Sequence, residues 1–215
     1  MRNGMKTEVI VFDNVKLHLV EKWYIPHAKW INDEEIENYK KFVEENKNPR
    51  IGQLAPAIEP LIILPPEHFK AAALDTAIKF DTQAGKVIED FRKELKKKYT
   101  YLFFWDYNCG HCKKHIQDLH NVWEEVKNDD WQVITVQIVD TKVAKGKWID
   151  LVNEHDYFGW INAWSPYAYK YEDYYRVTYG LSSTPKGFIL DENSNIILKN
   201  IYPEQLKDIM SYITN

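Results

Sequence analysis

The stretch from Tyr99 to Ile116 reads YTYLFFWDYNCGHCKKHI, and it decides how the rest of the chain is interpreted. Its first seven residues are aromatic or apolar on both faces, which is typical of a central strand buried on both sides. Cys109 and Cys112 follow, and they are the only two cysteines among 215 residues. A chain that uses its only thiols as one Cys-x-x-Cys pair is built for dithiol chemistry or a metal, and not for structural cross-links.

The residues after the cysteines predict a helix and a second strand. Ile116, Leu119, Trp123 and Val126 recur at spacings of three and four, which places them on one stripe of a helix that runs to about Lys127. Residues 131–139 (WQVITVQIV) are β-branched enough to form another inner strand. Strand, helix and strand make a βαβ unit with parallel strands. The cysteine pair is thus predicted at the N-terminus of the connecting helix.

The C-terminal part of the chain completes a mixed α/β pattern. A second helix is expected around Trp148, a short strand within residues 159–164, a hairpin formed by residues 188–190 and 196–198, and a last helix that starts near Pro203. This order predicts an α/β fold, a three-layer α/β/α sandwich with a mixed central sheet.

Residues 1–50 differ from the remainder and are predicted to form a small, mainly helical N-terminal segment. A helix is expected over residues 33–43, whereas residues 12–23 fit a helical face and strand alternation equally well. Pro49 and Gly52 mark a boundary, so residues 51–215 are taken as the main domain. Within it, residues 67–98 are predicted to be a helical insertion.

Composition excludes several classes of partner. The chain is 45% hydrophobic, with a formal net charge of −4 and a pI near 6.0. It has no basic field of the kind that nucleic acid or an anionic membrane would require. We also find no apolar stretch close to the roughly 18 residues that span a bilayer, and no apolar segment of a secretory signal at the start.

The two thiols are expected to have different roles in disulfide exchange. Free N–H groups and the positive end of the helix dipole favour a thiolate at Cys109, which makes it the attacking thiol, while Cys112, one turn into the helix, would be the shielded resolving thiol. His111, between them, would stabilise the thiolate further if protonated, or it is simply a surface histidine. His115, one turn beyond Cys112, could exchange a proton with Cys112, or it is a partly buried structural histidine.

With Thr184-Pro185 placed just before the hairpin, residues 51–215 resemble the thioredoxin-like superfamily, specifically the TlpA/ResA-type (redoxin) thiol:disulfide interchange proteins of Gram-negative envelopes. The similar segments are Ile51-Gly52-Gln53-Leu54-Ala55-Pro56, Phe103-Phe104-Trp105 with Cys109-Gly110-His111-Cys112-Lys113-Lys114, and Thr184-Pro185 with Phe188-Ile189-Leu190-Asp191.

The resemblance implies a cis bond before Pro185, close to the cysteines, and a substrate-binding role for Thr184, Pro185, Trp105 and Asn108. The backbone of Thr184 would pair with an extended client segment. It also implies a redox-active Cys109–Cys112 disulfide with no other cofactor, client protein thiols or disulfides and a redox partner protein as partners, and export to the periplasm or cell envelope.

Three positions depart from the family pattern. Asn108 stands where thioredoxins usually have Trp, Phe103 replaces their buried acid, and His115 stands where many TlpA/ResA-type proteins have Glu. The Gly-His dipeptide is that of protein disulfide isomerase, whose reduction potential of about −180 mV is less reducing than the roughly −270 mV of thioredoxin. The direction of electron flow therefore stays open.

A thiol:disulfide oxidoreductase is the leading interpretation, and two alternatives belong to other classes. The first is a metal-binding protein of the copper-delivery type that uses Cys109, Cys112 and a histidine. The second is a peroxidase, which is disfavoured because no Pro or Thr precedes Cys109 within residues 104–108.

Ten aromatic residues between Tyr157 and Tyr179 could in part form an apolar platform for a client, although ordinary packing explains most of them better.

Overall fold

The computed structural model describes residues 15–58, 61–79, 85–138, 142–165 and 175–214. At the N-terminus, helical backbone covers residues 15–27 (α1), with a π-helical stretch over Val20–Tyr24, and α2 spans Asp33–Asn46. The side chain of Asn32 caps α2 by accepting a hydrogen bond from the Glu35 N–H. Residues 15–23 are therefore helical, the first of the two alternatives left open by their pattern.

The remaining elements form one α/β domain. Its strands are β1 (Leu61–Ile63), β2 (Lys86–Ile88), β3 (Tyr99–Trp105), β4 (Trp131–Gln137), β5 (Ile161–Trp164), β6 (Lys186–Asp191) and β7 (Ile196–Lys199). Its helices are α3 (Pro66–Leu74), α4 (Thr76–Lys79), α5 (Gly110–Val126), α6 (Lys142–Glu154), α7 (Tyr175–Thr178) and α8 (Pro203–Ile213).

The strands form one mixed sheet in the order β2-β1-β5-β4-β3-β6-β7. The pairs β3–β4 and β4–β5 are parallel, and the other pairs are antiparallel. The predicted βαβ unit, the C-terminal hairpin and the α/β/α arrangement are confirmed. Right-handed crossovers in one direction along the sheet place α5 and α6 on the same face.

Alternation along β3 explains why this strand is apolar from Tyr101 to Trp105. Tyr101, Phe103 and Trp105 join a core with α3, α5, α6 and α8, whereas Leu102 and Phe104 join the core of the opposite face with α7. Every side chain from Tyr101 to Trp105 is buried. The five apolar residues from Tyr101 to Trp105 thus fill both cores.

The predicted helical insertion at 67–98 is correct only for its first part. α3 and α4 occupy residues 66–79, but β2 and a 3₁₀ turn at Phe91–Glu94 follow. β2 is an antiparallel edge strand that pairs with β1. Only Ile88 of its three residues is buried, so the local sequence carries almost no strand alternation.

Residues 15–50 pack as two helices and are joined to the main domain by a buried lysine. Leu17, Val20 and Val43 form a small core of their own. The Lys199 ammonium of β7 donates hydrogen bonds to the carbonyls of Asn46 at 2.6 Å and Pro49 at 3.3 Å. These contacts hold the end of α2 against the edge of the sheet.

None of the described helices combines the length and the apolar character needed to cross a membrane.

Candidate active site

The cysteine pair lies at the carboxyl end of β3, where the chain turns into α5. Cys109 is the N-cap residue of α5, with extended backbone angles (φ −83°, ψ 117°), and its N–H donates to the Asp106 carbonyl at 3.1 Å. The Asp106 carboxylate in turn accepts a hydrogen bond from the Asn108 N–H at 2.6 Å. This turn places the Cys109 sulfur beside the free N–H groups of the helix start.

The two thiols occupy different environments. Cys109 is half-buried, whereas Cys112 is fully buried beneath it. Burial, the largest cause, raises the pKa of the Cys112 thiol to about 12. Cys112 is therefore a protonated thiol at neutral pH, and it must lose its proton before it can act as a nucleophile.

The Thr184-Pro185 bond is cis, and it faces the cysteines. The Cys109 sulfur lies 3.6 Å from the Thr184 carbonyl oxygen, within reach of a weak S–H hydrogen bond. The chain brings these residues together although 75 positions separate them.

Gly187 fixes the position of this loop. A Cβ at Gly187 would lie 2.2 Å from the Ile201 carbonyl oxygen and 2.4 Å from the Tyr101 hydroxyl. Only glycine allows β6 to approach so closely, and the Tyr101 hydroxyl donates to the Ile201 carbonyl at 2.9 Å across the same contact. The strand that carries the cis-proline loop is thus locked onto β3.

A groove of about 310 Å³ opens in front of the dithiol. Its walls are formed by the two histidines of α5, the cis-proline loop and the start of α8, and they comprise His111, His115, Ser183, Thr184, Pro185, Tyr202 and Glu204. His111 is exposed, and Pro185 is buried. Four of the predicted site residues therefore meet in one concave surface beside Cys109.

The His115 side chain of α5 packs against the start of α8. Its ring stacks on that of Tyr202 at a centroid distance of 5.2 Å and an angle of 24°. Its Nδ1 atom is buried without a hydrogen-bond partner, yet it lies 3.4 Å from Oε2 of Glu204. The contact is within ion-pair distance, but it does not have hydrogen-bond geometry.

Two of the predicted substrate-binding residues are placed differently. Trp105 is only 1% exposed, since it lies on the same face of β3 as Tyr101 and Phe103 and packs in the core under α5. It therefore does not line the groove, and the prediction that it contacts a client is wrong. Asn108 is exposed at the turn before Cys109, outside the residues that form the groove walls.

The aromatic stretch before Thr184 is mostly core where it is described. Tyr157, Trp160, Trp164, Tyr175 and Tyr179 are all buried. Four of the ten aromatic residues fall within 166–174, outside the described residues. Packing accounts for these five buried rings, as favoured from the sequence.

Sequence reasoning missed Ser183, Tyr202 and Glu204 as members of the groove. Ser183 precedes a recognised Thr-Pro pair and could have been included on that ground. Tyr202 and Glu204 flank Pro203, a recognised helix start, but their position depends on how α8 packs against α5.

The geometry does not gather the cysteines into a metal site. Within the part of the chain that the structure describes, the group able to hold an ion is His115, Asp118 and Glu204, whose ligand atoms lie within 4.8 Å of one another. This group contains neither Cys109 nor Cys112.

A family model described as thioredoxin-like matches residues 96–196. A comparison with curated protein sequences finds no match.

Solved structures extend the likeness in fold beyond that segment. The thioredoxin domain of a thiol-disulfide oxidoreductase from Bacteroides vulgatus is 18% identical with a TM-score of 0.56, and the alignment covers 77% of this chain and 99% of that one. A thioredoxin-like protein from Bacteroides caccae is 15% identical with a TM-score of 0.59, covering 93% of this chain and 62% of that one. A thiol:disulfide interchange protein from Bacteroides sp. is 17% identical with a TM-score of 0.52, covering 76% and 88%. At these identities the likeness concerns the fold.

The chain thus has a thioredoxin-like fold, as its sequence predicted.

Proposed function

We propose that this protein is a thiol:disulfide oxidoreductase that reduces or reshuffles disulfides of exported proteins. The observation that carries the proposal is the unequal exposure of the two thiols: Cys109 is half-buried with its sulfur against the cis-proline loop, while Cys112 is fully buried. An incoming disulfide can reach one sulfur and not the other, which sets the order of attack.

The reaction consists of two exchange steps. The Cys109 thiolate attacks one sulfur of the client disulfide, so that a mixed disulfide forms and the other client sulfur leaves as a thiolate. Cys112 then gives up its proton and attacks the Cys109 sulfur, which forms the Cys109–Cys112 disulfide and releases the second client thiol. Two electrons have passed to the client, and a dithiol redox partner must return them.

The second step needs a proton acceptor because the Cys112 thiol is held protonated. His115 is our candidate, since it lies one helical turn beyond Cys112 and its ring lines the groove. Glu204 is close enough to stabilise the imidazolium that would form. Thr184 would hold the client segment through its backbone, and His111 would favour the Cys109 thiolate.

The site of action that we propose is the periplasm or cell envelope. Support comes from the likeness in fold to a thiol:disulfide interchange protein and from the resemblance of the cysteine and Thr-Pro segments to envelope redoxins.

Insulin reduction in the presence of dithiothreitol tests the proposal. The unaltered chain should accelerate precipitation of the insulin B chain, and Cys109→Ser should abolish the acceleration because the attacking thiol is gone. Cys112→Ser, the matched control, should also lose turnover, and in the absence of dithiothreitol it should accumulate a mixed disulfide with insulin. Full activity of Cys109→Ser would refute the proposal.

A further inference from the structure

The start of α8 and the second turn of α5 bring together three side chains with metal-ligating atoms. Two of them also enter the proton transfer proposed for the dithiol reaction, so a zinc ion on the histidine would compete with the proton of Cys112. His115 and Asp118 are three residues apart on α5, so they project from the same side of the helix. Glu204 faces them from the first turn of α8, and all three ligand atoms lie within 4.8 Å. We propose that His115, Asp118 and Glu204 form a binding site for a zinc ion, separate from the two cysteines.

The distance between His115 and Glu204 matches a metal site better than a hydrogen bond. Ligands about 2.0–2.1 Å from a tetrahedral zinc ion are separated by about 3.3 Å from each other. Nδ1 of His115 lies 3.4 Å from Oε2 of Glu204, with no hydrogen bond between them. A buried imidazole nitrogen without a hydrogen bond is an unsatisfied group, and coordination of a cation would satisfy it.

The site already attracts a positive charge. The Lys114 ammonium lies 2.5 Å from Oδ2 of Asp118. Since the Lys114 side chain is 73% exposed, it can rotate into solvent and leave Asp118 to the metal.

The donor set suits zinc among the common divalent cations. One imidazole nitrogen and two carboxylate oxygens are ordinary zinc ligands, and three protein ligands leave one position for water. Magnesium and calcium prefer sites made of oxygen alone, and so they should bind weakly here. His115 and Glu204 also line the groove in front of the dithiol, so the ion would lie in the groove wall.

The competition with Lys114 makes the proposal testable by a gain of binding. Zinc affinity is measured by competition with a chromophoric chelator, on the full chain carrying Cys109→Ser and Cys112→Ser so that thiols cannot contribute. We expect one zinc ion per chain. In that background, Lys114→Ala should tighten binding severalfold because the competing ammonium is lost, and a misfolded protein would not show such a gain.

Loss of ligands should have the opposite effect. Glu204→Gln and His115→Gln should each weaken zinc binding at least tenfold, while Glu192→Gln should leave it unchanged. Glu192 is an exposed glutamate in the β6–β7 turn, at the end of the sheet away from the cysteines. Circular dichroism verifies that each variant is folded.

Two results would overturn the inference. One is the absence of stoichiometric zinc binding in the cysteine-free chain, and this result would leave the proposed oxidoreductase activity untouched. The other is binding that neither Glu204→Gln nor Lys114→Ala alters. The first result, combined with zinc binding by the unaltered chain, would place the metal at the dithiol instead.

Discussion

Native Cys112 should be almost unreactive towards alkylating agents, and the size of the effect follows from its burial. Its pKa is raised from the usual 9.0 to about 12. At pH 8, a thiol with a pKa of about 9 is roughly one-tenth thiolate, whereas one with a pKa of about 12 is roughly one ten-thousandth thiolate. The native thiol should therefore react about a thousandfold more slowly than the same thiol in the unfolded chain, and restricted access to a fully buried sulfur adds to this factor.

The assay follows iodoacetamide modification at pH 8 by mass spectrometry, peptide by peptide. Cys109→Ser isolates Cys112, and its rate is compared in buffer and in denaturant. In the reduced unaltered chain, Cys109 should be modified first and alone. If native Cys112 reacted within tenfold of its rate in denaturant, the assignment of a shielded, protonated resolving thiol would be refuted.

Three further predictions concern stability. Gly187→Ala should destabilise the fold by about 1–3 kcal/mol through overpacking against Tyr101. Gly110→Ala is the control, because its added Cβ would meet no atom within 4 Å. Urea unfolding compares the two variants, and equal midpoints would contradict the close packing at Gly187. Lys199→Ala removes two hydrogen bonds from a charged group to the N-terminal segment, so we expect the free energy of unfolding to fall by about 1.5–3 kcal/mol and proteolysis near residues 46–50 to become faster. Unchanged proteolysis would show that these hydrogen bonds do not hold the segment in place. Because the pKa of Cys112 is higher in the folded than in the unfolded chain, its contribution to the free energy of unfolding is fully present below about pH 9 and is lost as the pH rises towards 12. The reduced chain should therefore lose stability over this range more steeply than Cys112→Ala. Urea midpoints that fall in parallel for the two proteins would show that the pKa is not shifted.

The core of the fold was predictable because its signals are local. β3 and α5 are adjacent in the chain, and each has a long, regular pattern, one apolar on both faces and the other repeating every three or four residues. The cis bond before Pro185 is different, since Thr-Pro before a strand is an ordinary loop by pattern alone. That prediction depended on the family resemblance.

The errors arose where structure depends on distant contacts. β2 has three residues, two of them exposed, and it exists because β1 offers it a partner more than twenty residues earlier. Trp105 was expected to bind substrate from the resemblance, although alternation along β3 puts it on the core face with Phe103. Glu204 lies at the site only because α8 packs on α5.

The most direct test of the central claim is to trap the mixed disulfide. A peptide that contains one disulfide is incubated with each single-cysteine variant, and the products are identified by intact mass and by peptide mapping. Cys112→Ser should form a covalent adduct through Cys109 that persists until reductant is added, whereas Cys109→Ser should form none. An adduct on Cys112 in the Cys109→Ser variant, formed as quickly as the one on Cys109, would contradict the assignment of Cys109 as the attacking thiol.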